Sequence, residues 1–338
     1  MIRRVRCIPL LVLLAIGIAM AGCAPSQPTP APLTKLKVVT SNYLGSSLFY
    51  IAQQEGYFAE QGIEVELIPE TPQQELLPLL IQGEVDAMNH AFNSGLLNAM
   101  AGDPDIRLVA AGVPWPEECV WGGLLARKEL LESGALDDLS SASEYRFALR
   151  SHSFPAYMTE RFLRSVNVKV EDLKTTTLAS SIMGEALRTG SIDIVWVGEP
   201  WTTRILQEGY ADVWAADHEI WPGYSTGGLV FGTKLFKENR ELGQRFVIAY
   251  AKGFFQYLQG KTERNLELAS EFTQLDRELL LDVCWPTSKW DGQPNLEGWL
   301  DYQEWAMEKG LLDKRLSVDE FWDGSFIEQA TKVLGEAQ

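Results

Sequence analysis

Hydrophobic and polar positions alternate along this chain in two modes that take turns. Short apolar runs rich in Val, Ile and Leu and bounded by Asn, Ser, Gly or Pro read as strands at 35–40, 63–68, 86–89 and 106–112. Between them, apolar residues at helical spacing predict helices over 46–54, 73–82 and 93–100. After Pro114 and Pro116 the same alternation starts again, with strands at 145–150, 175–178 and 192–197 and helices at 157–165, 181–189 and 202–208. Repeated strand–helix–strand units imply a parallel sheet covered by helices on both faces, so the pattern predicts an α/β protein of two lobes.

Two segments that look alike flank the second run. Gly122-Gly123-Leu124-Leu125-Ala126-Arg127 and Gly227-Gly228-Leu229-Val230-Phe231-Gly232 each place paired glycines before an apolar strand. Read as two hinge crossings, they divide the body into lobe one, residues 35–116 plus 227–338, and lobe two, residues 117–226. Coincidental edge strands of one large sheet are the alternative.

The N-terminus follows a different rule. Arg3, Arg4 and Arg6 precede an uncharged run from Ile8 to Met20 that closes with Ala21, Gly22 and Cys23. A permanent membrane span needs about 20 apolar residues, so this run reads as a signal peptide over 1–22. Met20 to Cys23 resembles the lipobox of bacterial lipoproteins, with Met20 where Leu is commoner, and the resemblance implies that Cys23 is lipidated. A plain secretory signal with Cys23 an incidental thiol is the alternative. Residues 23–34 hold four prolines with Ser, Gln and Thr, the composition of a solvated tether. The expectation is a lipid-anchored protein on the cell membrane, facing the periplasm or the extracellular side.

Charge and cysteine content narrow the partners. The 338 residues carry 29 Lys and Arg against 46 Asp and Glu, and removal of the leader makes the balance more acidic still. So negative a surface repels nucleic acid and anionic lipid headgroups. Of the four cysteines, Cys119 and Cys284 remain in the body as an even pair suited to an oxidising compartment. Either they form a disulfide or they pack as two separate buried thiols.

At this point the residues resemble a known family, the ABC-transporter solute-binding proteins for sulfonates, taurine, nitrate and the pyrimidine precursors of thiamine. The pieces are Ile51-Ala52-Gln53-Gln54-Glu55-Gly56-Tyr57-Phe58 after the first strand, Gln82-Gly83-Glu84-Val85-Asp86-Ala87, and Leu187-Arg188-Thr189-Gly190-Ser191-Ile192-Asp193. The last two share a G-x-[VI]-D form, once per lobe, and Glu199-Pro200-Trp201 occupies the place of the family's lobe-two ligand loop. The resemblance implies a type II periplasmic-binding-protein fold whose lobes close on a small ligand. It also implies delivery to a membrane permease with its ATPase, by a monomer without a cofactor.

Ligands of open parallel sheets bind beyond the carboxyl ends of the strands, where the next helix presents unpaired N–H groups. Those edges supply Asn42, Tyr43, Ser46, Ser47, Asn89, His90, Asn93 and Ser94 from lobe one, Trp115 at the first crossing, and Ser151, His152, Ser153, Phe154, Tyr157, Trp196, Glu199 and Trp201 from lobe two; all but the two histidines are taken as candidate ligand contacts. Uncharged donors, acceptors and rings dominate, with Arg150 the one cation among them. Such edges suit a flat heterocycle such as riboflavin or a thiamine pyrimidine, stacked between rings and read by Asn, Ser and Glu199. Taurine or an alkanesulfonate ranks second and nitrate third. The serines and asparagines are also ordinary helix-cap types, and any single ring has a plain core role as its alternative.

Other chemistries find less support. His90, His152 and His218 are the three histidines and show no short ligand spacing, so no metal site is expected. The branch of the family fold that makes the thiamine pyrimidine carries closely spaced cysteines, which this chain lacks, and no nucleophile–base, Walker or dinucleotide motif occurs. The chain is therefore expected not to be an enzyme, with a sensor lipoprotein as a further alternative.

Overall fold

The computed structural model describes residues 32–336 except 42, 71–75, 150–152, 226 and 288. The expected signal peptide, Cys23, Asn42, Arg150, Ser151 and His152 lie outside the described residues. Among the described residues ten strands form two five-stranded sheets. They are β1 (Thr34–Ser41), β2 (Ile63–Glu70), β3 (Ala87–Ala91), β4 (Arg107–Ala111), β5 (Gly122–Arg127), β6 (Arg146–Ala148), β7 (Lys174–Thr176), β8 (Ile194–Gly198), β9 (Ala211–Ala216) and β10 (Gly227–Phe231). The first sheet runs β2-β1-β3-β10-β4 and the second β7-β6-β8-β5-β9. Helices flank both.

Each sheet is parallel but for its fourth strand. β10 pairs antiparallel with β3 and β4, and β5 with β8 and β9. These are the two glycine-led segments, so the hinge-like repeats turn out to be strands at matching places in two matching sheets. Glycine is required there by close approach: a Cβ on Gly228 would stand 2.0 Å from the Ala110 carbonyl oxygen, and one on Gly227 2.1 Å from that of His90. β9 was not anticipated, since Ala211–Ala216 carries few β-branched residues.

The G-x-[VI]-D pairs have matching structural roles. Gly83 and Gly190 take positive φ values of 71° and 68° and turn the chain into β3 and β8. Asp86 Oδ2 then accepts the Lys37 backbone N–H of β1 at 2.7 Å, and Asp193 Oδ2 accepts that of Arg146 in β6 at 2.9 Å. Each carboxylate thereby ties the start of one central strand to its parallel neighbour.

Helices cover the first sheet from the C-terminal half of the chain. The helix Arg240–Tyr257 packs Tyr250 against Phe49 at 5.1 Å and Phe246 against Phe58 at 4.9 Å, both pairs tilted. The helix Leu296–Glu308 touches elements of both halves: Trp299 stacks on Phe92 at 4.5 Å, while Asp301 accepts from the Tyr157 hydroxyl at 2.7 Å and pairs with Arg161 at 3.0 Å. Cys119, just before β5, and Cys284 are joined as a disulfide. Among the described residues no helix is long and apolar enough to cross a membrane.

Candidate ligand-binding cleft

The carboxyl ends of β1, β3, β4 and β8 converge on a cleft of about 480 Å³. Its floor on the first-sheet side is a polar chain, in which the Asn89 amide donates to Ser46 Oγ at 2.9 Å and Ser46 shares a hydrogen bond with Ser41 Oγ at 2.8 Å. Asn93 stands at the lip, where its Oδ1 caps the helix Ser94–Gly102 by accepting the Leu96 N–H at 2.9 Å. A capping side chain satisfies a helix-end donor and fixes its own orientation at the same time.

Aromatic rings supply the remaining walls. Tyr43, Trp115, Trp121, Phe154, Trp196 and Tyr250 all line the cleft. Phe154 opens the helix Phe154–Phe162, meets Trp196 edge-on at 6.3 Å and lies 6.0 Å from Trp115, so three of the rings brace one another. Among the described lining residues there is no Lys, Arg, Asp or Glu. The Tyr250 hydroxyl is buried without a hydrogen-bond partner, and burial holds its pKa above the usual phenol range. Such a group is a ready donor to whatever enters.

Of the residues expected from the strand ends, Tyr43, Ser46, Asn89, Asn93, Trp115, Phe154 and Trp196 thus share one cleft. Ser47, Ser94, Ser153, Tyr157, Glu199 and Trp201 stand off its wall, each for a local reason. Ser47 turns back to donate to the Leu44 carbonyl at 2.7 Å. The Ser94 backbone N–H donates to the Tyr302 hydroxyl, and Ser153 caps the helix Phe154–Phe162. Tyr157 is fully buried against Asp301, with its pKa raised by that burial and by the hydrogen bond to the carboxylate. Trp201 packs into the second core beside Leu206 and Arg204.

Glu199 shows most clearly what a strand-end position leaves undecided. Its carboxylate is fully buried and accepts the Thr203 hydroxyl at 2.7 Å, the Thr203 N–H at 3.2 Å and the Cys284 N–H at 2.8 Å. Burial pushes its pKa up to about 7 against the opposing pull of these bonds. It therefore pins the loop after β8 to the disulfide-bearing segment.

Tyr250, Trp121 and Ser41 were not among the expected ligand contacts, while His90, expected at the strand-end edge, does line the cleft. Trp121 carried a signal, an aromatic residue directly before the first glycine pair; Tyr250, in mid-helix, carried none. His90 bonds through Nδ1 to the Ala91 carbonyl at 2.7 Å, and among the described residues no cluster of His, Cys, Asp or Glu is placed to hold a metal ion.

Two mixed sheets with a cleft at their facing strand ends define the two-lobed periplasmic-binding-protein fold. The chain belongs to the NMT1-like family, whose model matches residues 29–270. Among solved structures it is similar to the periplasmic aliphatic sulphonate binding protein SsuA from Escherichia coli, with a TM-score of 0.71 and 15% identity over 86% of this chain and 97% of that one. It is also similar to the periplasmic nitrate-binding protein NrtA from Synechocystis PCC 6803, with a TM-score of 0.69 and 13% identity over 89% of each chain. At such identities the likeness is one of fold. By sequence it is 25% identical over 206 residues to the bicarbonate transport ATP-binding protein CmpC of Synechococcus elongatus, covering 56% of this chain and 30% of that protein. The chain thus spans under a third of the curated relatives it matches.

Proposed function

We propose that this protein is the solute-binding component of an ABC importer and that its cargo is a small aromatic heterocycle of the riboflavin or thiamine-pyrimidine kind. The observation that carries the ligand class is the wall of six rings around a cleft with no charged side chain among its described lining residues. Flat π-systems gain from stacking and edge contacts on such rings, while the Asn89–Ser46–Ser41 chain offers polar groups for an edge. Nitrate or bicarbonate would leave most of 480 Å³ unfilled and would lack a counter-charge.

An alkanesulfonate is the second reading. It is favoured by the helices Ser94–Gly102 and Phe154–Phe162, which begin at the cleft from opposite sides and present their positive ends to it. In either case capture works by closure. Lobe one (35–116 plus 227–338) and lobe two (117–226) each offer part of the contacts, and a ligand bridging both stabilises the closed form that docks on the permease. The Cys23 anchor and the Pro-rich tether would keep this cycle at the outer face of the membrane.

A thermal-shift screen of the purified protein tests the reading, with riboflavin, 4-amino-5-hydroxymethyl-2-methylpyrimidine, taurine, alkanesulfonates, nitrate and bicarbonate. A ligand at a hundred times its dissociation constant adds about 2.7 kcal/mol of stability. A rise with a flavin or pyrimidine is expected. A rise with sulfonates alone would transfer the assignment to the second reading, and a rise with nitrate or bicarbonate alone would discard the aromatic site.

A further inference from the structure

Behind the Trp196 side of the cleft lies a carboxylate that nothing above uses. Asp217 directly follows β9, next to the pairing of Ala216 with Gly123, and so falls opposite Gly122, which itself pairs with Gly198 of β8. Ala215, Leu124 and Trp196 form the row two residues away. Side chains alternate between faces along a strand, so Asp217 and Trp196 share one face of the second sheet. The two glycines leave that face bare between them. The point a Cβ of Gly122 would occupy is 2.5 Å from Asp217 Oδ2 and 3.0 Å from the Cα of Gly198, a residue of the cleft wall. The carboxylate therefore lies across Gly122 toward the cleft.

It lies there unsatisfied. Asp217 is 1% exposed, and neither of its oxygens has a hydrogen bond of full geometry, the Trp196 indole N–H approaching it only loosely. The indole nitrogens of Trp121 and Trp196, both cleft-wall residues, are buried and unpartnered as well. The Trp121 ring covers Gly198, its Cζ3 being 2.8 Å from where that residue's Cβ would stand. Buried polar groups are nearly always paired, and a strongly perturbed carboxyl beside a cleft is where function concentrates. Burial raises the Asp217 pKa well above the carboxylate range, with the Trp196 N–H acting in the opposite direction. A buried carboxyl without a well-formed bond, the Trp196 N–H drawn loosely to it, and the unpartnered Trp121 N–H thus lie on one side of the cleft.

We propose that Asp217 is a ligand-reading residue: it accepts a hydrogen bond from an amino group or protonated ring nitrogen of the bound heterocycle, while the Trp121 or Trp196 indole N–H donates to an adjacent ring acceptor. This rests on the heterocycle reading and narrows it to nitrogen heterocycles that carry a donor beside an acceptor, as an aminopyrimidine edge does.

The test compares 4-amino-2-methylpyrimidine with 2,4-dimethylpyrimidine, which has the same shape without the donor. Calorimetric titration of the wild-type protein should show at least a tenfold preference for the amino compound. Asp217→Leu should bring the two affinities together while leaving that of 2,4-dimethylpyrimidine unchanged, with a melting temperature no lower than wild type. Should the leucine variant not fold, Asp217→Ala, which likewise has no acceptor, carries the same comparison and should cut the preference to about threefold or less. A preference absent in the wild type, or intact in the variants, overturns the role of Asp217 alone. If neither pyrimidine binds and an alkanesulfonate does, the heterocycle reading fails and this inference falls with it.

Discussion

Trp196, near the end of β8, and Glu199, just beyond it, sit three residues apart, yet they have different tasks. Trp196 faces the cleft and meets Phe154, whereas Glu199 is turned inward onto Thr203 and Cys284. Trp196→Ala should therefore weaken ligand binding at least tenfold in a calorimetric titration, without a large change in melting temperature. Glu199→Gln should leave affinity nearly unchanged and alter the response to pH instead. Its carboxyl titrates near 4.5 when exposed and near 7 in the fold, so the folded protein holds this proton more tightly. That contribution is whole below pH 4.5 and is lost as pH rises through 7, with a span on the order of 3 kcal/mol. Melting curves between pH 4.5 and 8 should fall more steeply for the wild type than for Glu199→Gln; parallel curves would refute the assignment.

At the scale of elements, the two G-x-[VI]-D turns show why so short a pattern recurs. Each ends in a carboxylate that holds a backbone N–H of the neighbouring parallel strand, a bond the ladder itself does not provide. Asp193 is the more heavily engaged of the two, accepting from Arg146 through Nε and the terminal nitrogen, both at 2.8 Å, and from Arg127 at 3.3 Å. Burial raises its pKa, but the Arg146 and Arg127 bonds outweigh it and the net shift is downward. Hydrogen bonds to charged groups contribute about 1.5–3 kcal/mol each, and these overlap, so Asp193→Asn should cost on the order of 2 kcal/mol in urea unfolding. The loss should disappear at acid pH, where the wild-type carboxylate is itself protonated. A destabilisation that persists there would mean that packing, not charge, is the bond's value.

Across the whole molecule, the Cys119–Cys284 disulfide spans 165 residues and ties the entry to β5 to the C-terminal helical segment. A bridge closing so long a loop restricts the unfolded chain by about 5 kcal/mol in the entropy model, and less where the reduced chain retains structure. The Cys119→Ser, Cys284→Ser double variant should accordingly melt several degrees lower, and its ligand affinity should hold because neither cysteine lines the cleft. The residue order alone determined the alternation of strands and helices, the duplication of the glycine-led strands and of G-x-[VI]-D, and the aromatic, uncharged character of the strand ends. Those are local properties, set by side-chain period, turn chemistry and composition, and they survive in one dimension. Only the tertiary structure decided which strand-end residues face inward, as with Glu199 and Tyr157, and which face the cleft, as with Trp196. It also brought Tyr250 to the wall from a helix more than a hundred residues beyond β4, joined Cys119 to Cys284, and set Asp217 across Gly122. Those outcomes depend on pairings between distant segments and on small residues that let them approach, and no window of neighbouring residues contains that information.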